Sequence, residues 1–180
     1  MAFIRKKDRT TLPSEGFEDF STPSEILELA RSKGVCVDPI NIAELAMLLG
    51  MKVRYEPMGD DDSGSLKKDK KTGEWIITVN SLHHPHRQRF TIAHEIGHRV
   101  KHAASSDSFK DTTFFRNGDS NWMEAQANTF AAELLMPESL FHDFVGSNSS
   151  KVEDIAKHFQ VSSMAVRIRA QQLGYGGHNL

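Results

Sequence analysis

Two histidines four residues apart, with a glutamate directly after the first, are the residues of this sequence best suited to chemistry. They are His94, Glu95 and His98, in the pattern H-E-x-x-H. On an α-helix, side chains four residues apart lie on the same face, so both imidazoles can bind one metal ion with Glu95 beside them. This arrangement is typical of zinc hydrolases, in which the glutamate acts as a general base.

A catalytic zinc ion usually takes three protein ligands and leaves a fourth position for water, so a third ligand is expected elsewhere. The extended metzincin pattern is excluded, because Lys101 and Ala104 stand where it requires glycine and histidine. His102 lies on the same helix face as His94 and His98. Each step of four residues advances about 6 Å along the helix, so a third histidine does not reach the same ion. We therefore expect His102 to line the cleft or to contact one of the metal-binding residues.

A second helix is predicted over residues 122–136, where Pro137 ends it. At about 100° per residue, Glu124 falls on the apolar face of this helix, whereas Glu133 falls on the polar face. An unpaired buried carboxylate is unfavourable, and a metal ion would compensate for its burial. Glu124 is therefore predicted to be the third ligand, with a buried salt bridge as the alternative. Asn128, one turn later, is predicted to accept the outer N–H of a ligand histidine.

The sequence around these residues resembles the ImmA/IrrE family of metallo-endopeptidases. The resemblance is carried by the segments RFTIAHEIGH, EAQAN and FAAELLMP, at residues 89–98, 124–128 and 130–137. It implies a zincin-like core in which zinc is bound by His94, His98 and Glu124. It also implies that Glu95 is the catalytic base.

The same resemblance implies a class of substrate. Members of the family act on proteins, often a DNA-binding repressor or an antitoxin-like partner, in stress responses or in the control of mobile elements. The alternative is a non-proteolytic regulatory protein that binds a partner or DNA and holds a structural metal ion. DNA binding is not expected to be the primary role.

The composition of the chain limits the class of protein to which it can belong. The chain has 180 residues, of which 38% are hydrophobic, and a formal net charge of −2, so it suits one compact domain without a general attraction to nucleic acid. Cys36 is the single cysteine, which excludes an internal disulfide. No apolar h-region follows the basic N-terminus, and no run approaches about 18 apolar residues. We expect a cytoplasmic protein that does not contact the membrane.

The elements that must position the candidate ligands predict an α+β fold. We expect a zincin-like metalloprotease core with a small, mostly antiparallel sheet packed on helices, followed by a C-terminal helix-turn-helix-like segment. Besides the two ligand-bearing helices, periodicity predicts helices over 24–33 and 40–49 and strands over 51–56, 63–68 and 74–80. Ser24 is expected to open the first helix.

Three regions are predicted along the chain. Residues 1–21 form a flexible N-terminal arm, residues 22–146 form the metallopeptidase domain, and residues 147–180 form the helix-turn-helix-like extension. Ser162 is expected to cap the second helix of that extension. The first residues of that second helix include no side chain that could make two hydrogen bonds to one DNA base. Packing or partner docking is therefore favoured over DNA binding.

A long loop is predicted from Ala104 to Asn121, between the two ligand-bearing helices. Loops of this length are uncommon unless they are functional or disordered, so we expect a substrate-gating flap. Candidates to contact the substrate or its oxyanion are His102, Arg116 and Tyr55. Three further histidines precede the metal helix and are expected at the cleft rim: His83, His84 and His86.

Overall fold

The computed structural model describes residues 20–102, 108–112 and 121–176, which form an α+β structure. The elements in chain order are α1 (Pro23–Ser32), α2 (Ile42–Leu48), β1 (Met51–Glu56), β2 (Asp62–Lys68), β3 (Trp75–Asn80), α3 (Pro85–His102), β4 (Ser108–Thr112), α4 (Asn121–Leu135), α5 (Glu138–Ser147), α6 (Val152–Phe159) and α7 (Ser163–Gln172). The predicted α+β class is confirmed. The predicted N-terminal arm lies outside the described residues up to position 19. None of the described helices has the length and apolar character needed to cross a membrane.

The described strands form one mixed sheet in the order β1-β3-β2-β4. β3 pairs with β1 in parallel and with β2 in the antiparallel direction, and β2 also pairs antiparallel with β4. The turn between β2 and β3 is closed by the Asp69 N–H, which donates to the Glu74 carbonyl at 2.8 Å. Gly73 takes a φ of +74° there, which glycine adopts without steric cost.

Strand β4 corrects the prediction of a continuous loop from Ala104 to Asn121. Residues 108–112 pair with β2, with Phe109 opposite Leu66. The segment does not alternate apolar and polar residues, so periodicity gave no sign of a strand, and the edge of β2 supplies its hydrogen bonds. Residues 104–107 and 113–120, which include Arg116, lie outside the described residues.

Helix α3 lies at the centre of the fold. Every residue from Thr91 to His98 is buried. Its apolar side, with Ile92 and Ile96, belongs to the same core as Leu66 and Ile77 of the sheet. Its polar side is buried as well, because α4 packs against it.

Helices α1 and α2 were both predicted, but the start of α1 differs from the prediction. Thr22 is the N-cap, not Ser24: its hydroxyl accepts the Glu25 N–H at 3.3 Å, and the Glu25 carboxylate accepts the Thr22 N–H at 2.9 Å. This reciprocal pair is a capping box, and it satisfies two backbone donors that a helix start leaves without partners. α1 packs on α4, and α2 packs on β1 and α3.

The last two helices are joined by a tight turn of residues 160–162. The Ser162 hydroxyl accepts the Ala165 N–H at 3.1 Å, as expected of the cap. Arg169 of α7 is buried, and its Nε donates to the Met136 carbonyl at 3.0 Å. Phe159 and Val166 belong to the same hydrophobic core as α1 to α4. The boundary at residue 147 stays a prediction.

Candidate metal centre

His94 and His98 direct their Nε2 atoms towards each other across one turn of α3. The two nitrogens are 3.0 Å apart, and both side chains are buried. At this distance a proton or a cation has to lie between the two lone pairs, because two imidazole acceptors facing each other would repel. The pair therefore forms two corners of a cation site.

Glu124 of α4 supplies the third corner. Its Oε2 lies 3.1 Å from His94 Nε2, and its Oε1 lies 3.2 Å from His98 Nε2. Burial favours the protonated acid, but the hydrogen bonds with His94 and His98 outweigh it and lower the pKa of Glu124 to about 2. The carboxylate is therefore ionised at neutral pH. Its side chain is 35% exposed, more than its place on the apolar face predicted.

The potential ligand atoms of these three residues all lie within 4.8 Å of one another, so they could hold a metal ion. In the described part of the chain this is the one such group of at least three histidine, cysteine or acidic side chains. His83, His84 and His86 are not members of it. His86 lies in the first turn of α3, not before the helix, because α3 begins at Pro85.

Asn128 fixes the orientation of His94. Its Oδ1 lies 2.9 Å from His94 Nδ1, one turn along α4 from Glu124. An amide oxygen only accepts hydrogen bonds, so this contact assigns the proton to Nδ1 and leaves the Nε2 lone pair for a cation. The structure thus brings Asn128 to the position that the helix spacing predicted.

Glu95 is fully buried on α3, between the two histidines in sequence. It lies beside β2 because that strand carries Gly64 there. A β-carbon on Gly64 would lie 2.5 Å from Thr91 Cγ2 and 2.7 Å from the Thr78 carbonyl oxygen, and 3.7 Å from Glu95 Oε1. Only glycine permits this approach of α3 to the sheet, which holds Glu95 against β2.

Gly97 likewise permits a close approach, here between α3 and α4. A β-carbon at this position would lie 3.2 Å from both the α-carbon and the carbonyl oxygen of Ala127 and 3.3 Å from Phe130 Cβ. Sequence reasoning missed both glycines. The available signal was a glycine inside a helix and another inside a strand, where each costs stability unless close packing requires it.

His102 and Trp122 extend the site beyond His98. The ring centroid of His102 lies 5.5 Å from that of His98 and 5.3 Å from that of Trp122. Burial lowers the pKa of His102, and the neighbouring His98 lowers it further. Trp122 is 56% exposed, and sequence reasoning gave it no role. A large exposed aromatic residue two positions before a predicted ligand was the signal.

Of the two remaining candidates, Tyr55 is among the described residues and does not lie at the metal centre. Tyr55 is exposed on β1, and β3 separates that strand from β2, which lies next to Glu95. Two strand spacings of about 4.8 Å therefore separate β1 from β2. Tyr55 interacts electrostatically with Arg89 of α3. Arg116 lies outside the described residues.

A family model described as the IrrE N-terminal-like domain of peptidases matches residues 46–171, which include all three candidate ligands and Glu95. The chain belongs to the ImmA/IrrE family. The resemblance that the sequence motifs indicated is therefore confirmed.

Two relatives in the ImmA/IrrE family show how much of this chain aligns with other members. The radiation response metalloprotease IrrE of Deinococcus radiodurans is 30% identical over 124 residues, which are 66% of this chain and 36% of that protein. The metallopeptidase ImmA of Bacillus subtilis is 29% identical over 137 residues, which are 74% of this chain and 77% of ImmA. The chain thus spans little more than a third of IrrE but most of ImmA.

The fold is also shared with a solved structure, a transcriptional regulator of Mycobacterium tuberculosis. The two superimpose with a TM-score of 0.59 at 18% identity, over 83% of this chain and 46% of the regulator. At this identity the likeness shows a common fold and nothing about activity.

Proposed function

We propose that this protein is a zinc-dependent endopeptidase that hydrolyses peptide bonds in a specific protein substrate. The observation that carries the proposal is the convergence of His94, His98 and Glu124 from two helices, with Glu95 buried beside them. Membership of the ImmA/IrrE family supports it, since relatives are a metalloprotease and a metallopeptidase by name.

The spacing of the three donors suits zinc. Zinc bonds of about 2.0 to 2.2 Å in a tetrahedron separate neighbouring ligand atoms by roughly 3.3 Å. The two imidazole nitrogens are 3.0 Å apart, and each lies 3.1 or 3.2 Å from one of the two Glu124 carboxylate oxygens, within a few tenths of an ångström of that value. Two imidazoles and a carboxylate are also the donor set that favours zinc over magnesium or calcium.

The number of ligands favours a catalytic rather than a structural ion. Structural zinc sites are closed by four protein ligands, whereas catalytic sites use three and leave one position open. The described residues supply three donors, and Glu124 is partly exposed, which supports an open fourth position on its solvent side. This observation supports an enzyme over a regulatory protein with a structural metal ion.

The protein's own residues then have distinct roles. When bound, zinc supplies a Lewis acid that polarises a peptide carbonyl and lowers the pKa of water. Glu95 accepts a proton from the attacking water at its carboxylate and delivers that proton to the leaving amide nitrogen. Asn128 keeps His94 in the Nδ1-protonated tautomer, so that its Nε2 stays a donor to the ion.

The substrate class is part of the proposal. The family resemblance points to a repressor-type DNA-binding protein or an antitoxin-like partner, cleaved in a stress response or in mobile-element control. The name of the radiation response metalloprotease supports a role in stress. We also propose that residues 22–146 form a zincin-like core and that residues 147–180 form a helix-turn-helix-like extension.

The substitution Glu95→Gln tests this function. The candidate substrate is the product of the adjoining reading frame, once identified, incubated with the full chain and zinc. Glu95→Gln is expected to retain zinc and fold but to lose cleavage by about 100-fold or more, because the proton acceptor is removed. Glu133→Gln, on the polar side of α4, is the matched control and should cleave like wild type. Equal cleavage by wild type and Glu95→Gln would refute the proposed role of Glu95.

A further inference from the structure

An apolar cavity adjoins the candidate metal centre. Its volume is about 450 Å³, and it lies between α3, α4 and α7. The residues that line it include Phe90, Asn128, Thr129, Ala132, Met164 and Ile168. This volume is within the range of about 300 to 1,000 Å³ found for pockets that bind ligands.

The cavity and the metal centre share a wall. Asn128 lines the cavity, and its Oδ1 lies 2.9 Å from His94 Nδ1. Phe90 also lines it and stands four residues before His94 on α3. One helical turn of four residues spans about 6 Å, and an extended peptide advances about 3.3 Å per residue. Two residues of extended peptide therefore span about the same length as the helical turn between Phe90 and His94.

The exposed side of α7 that borders the cavity is apolar. Met164 is 64% exposed and Ile168 is 48% exposed, and both line the cavity. Isolated exposed hydrophobic residues are common, but these two lie one helical turn apart on the same helix and both line the cavity.

The charges of α7 do not suit nucleic acid. Of its two arginines, Arg169 is buried and donates to the Met136 carbonyl, which leaves Arg167 as the exposed cation of this helix. DNA-binding proteins neutralise several phosphates at once, and one cation on a helix does not provide that. The face of α7 is therefore matched to an apolar protein group.

We propose that this cavity, the α7 pocket, binds an apolar side chain of the protein substrate within about two residues of the scissile bond. The pocket thereby selects the cleavage site, and helix α7 serves substrate recognition. This inference rests on the proposed endopeptidase function and adds to it a preference for a large aliphatic or aromatic residue.

The test uses the full chain loaded with zinc and a pool of synthetic peptides in which each position is randomised in turn. Cleavage sites are read by mass spectrometry for wild type, Met164→Glu and Ile168→Glu. Met47→Glu is the matched control, since Met47 is 63% exposed on α2 and Met164 is 64% exposed on α7. Binding of an apolar peptide to the Glu95→Gln protein, with and without Met164→Glu, is followed by fluorescence anisotropy.

We expect wild type to prefer a large apolar residue at one position near the cut. Met164→Glu and Ile168→Glu should lower cleavage of those peptides by about ten-fold or more, since a carboxylate would be desolvated at the pocket mouth. Peptide binding to the Glu95→Gln protein should fall in parallel. Zinc content should not change, and Met47→Glu should match wild type.

Other outcomes overturn the inference in distinguishable ways. If wild type cleaves peptides but the α7 substitutions leave its preference unchanged, the α7 pocket is refuted and the endopeptidase function stands. If wild type cleaves no peptide and no protein substrate, both proposals fail together. If the chain binds a mixed-sequence DNA duplex and Met164→Glu weakens that binding, α7 contacts nucleic acid instead.

Discussion

Gly97 and Ala127 are so close that a β-carbon on Gly97 would lie 3.2 Å from the α-carbon and the carbonyl oxygen of Ala127. The contact stands between the two helices that carry the ligands, one residue before His98 and three residues after Glu124. The separation of α3 and α4 at this point therefore sets the distance between the imidazoles and the carboxylate.

The first prediction is that Gly97→Ala separates the two helices and weakens the metal site. The added methyl meets backbone atoms of α4, which cannot rotate away, so unfolding free energy should fall by about 1 to 3 kcal/mol. Zinc affinity should fall as well. Gly146→Ala in α5 is the control: nothing lies within 4 Å of its added methyl, so higher helix propensity should stabilise the protein by about 0.5 to 1 kcal/mol. Urea unfolding and zinc titration measure both, and equal behaviour of the two variants would rule out the packing role of Gly97.

The second prediction concerns the approach of α3 to the sheet. Gly64→Ala would place a methyl 2.5 Å from Thr91 Cγ2 and 2.7 Å from the Thr78 carbonyl oxygen, and it should destabilise the protein by about 3 kcal/mol. Adding Thr91→Ser removes one of the two clashes and should recover part of the loss. Gly59→Ala meets no atom within 4 Å and should lie within about 0.5 kcal/mol of wild type. Urea unfolding measures these changes in the free energy of unfolding. If Gly64→Ala were as stable as wild type, the close contact between Gly64 and α3 would be contradicted.

The third prediction concerns the residue that orients a ligand. Asn128→Ala removes the acceptor 2.9 Å from His94 Nδ1, and zinc affinity should fall by about 10- to 100-fold. Asn128→Asp keeps an acceptor there and should retain most of the affinity. Competition with a chromophoric chelator measures the difference. If Asn128→Ala binds zinc as tightly as wild type, the contact does not position His94.

The fourth prediction is a pH dependence. The pKa of Glu124 is held at about 2, so its carboxylate is ionised throughout the range from pH 5 to 8 and gives no pH dependence there. Zinc binding requires deprotonated ligands, and Glu124 is already deprotonated in this range, so its contribution to zinc affinity should not change with pH. Glu124→Gln should therefore bind zinc more weakly than wild type by a constant factor from pH 8 to pH 5, with the same slope of affinity against pH. A slope that changes in Glu124→Gln would show that its carboxyl group titrates in this range.

The grouping of the three candidate ligands was predictable because helical periodicity places side chains before any tertiary contact is known. The four-residue spacing put His94 and His98 on one face, and the wheel of the second helix separated Glu124 from Glu133. In the structure Glu124 contacts both histidines, while Glu133 lies 3.9 Å from Arg169. The H-E-x-x-H motif and the apolar face of the second helix were thus the patterns that indicated the three candidate ligands.

What periodicity could not predict depends on contacts between distant segments. The close approaches at Gly64 and Gly97 exist only once the sheet and the two helices have packed together. Strand β4 has little alternation of its own and is defined by its pairing with β2. Thr22 was missed as the cap of α1 because Ser24, two residues later, is an equally good capping residue by type.

The most direct test of a shared zinc site is zinc titration of wild type, Glu124→Ala and Glu133→Ala, in competition with a chelator of known affinity. We expect a single zinc ion per wild-type chain, an affinity at least about 100-fold lower in Glu124→Ala, and wild-type affinity in Glu133→Ala. If Glu124→Ala binds zinc as tightly as wild type, the two helices do not share an ion, and the proposed active site is wrong.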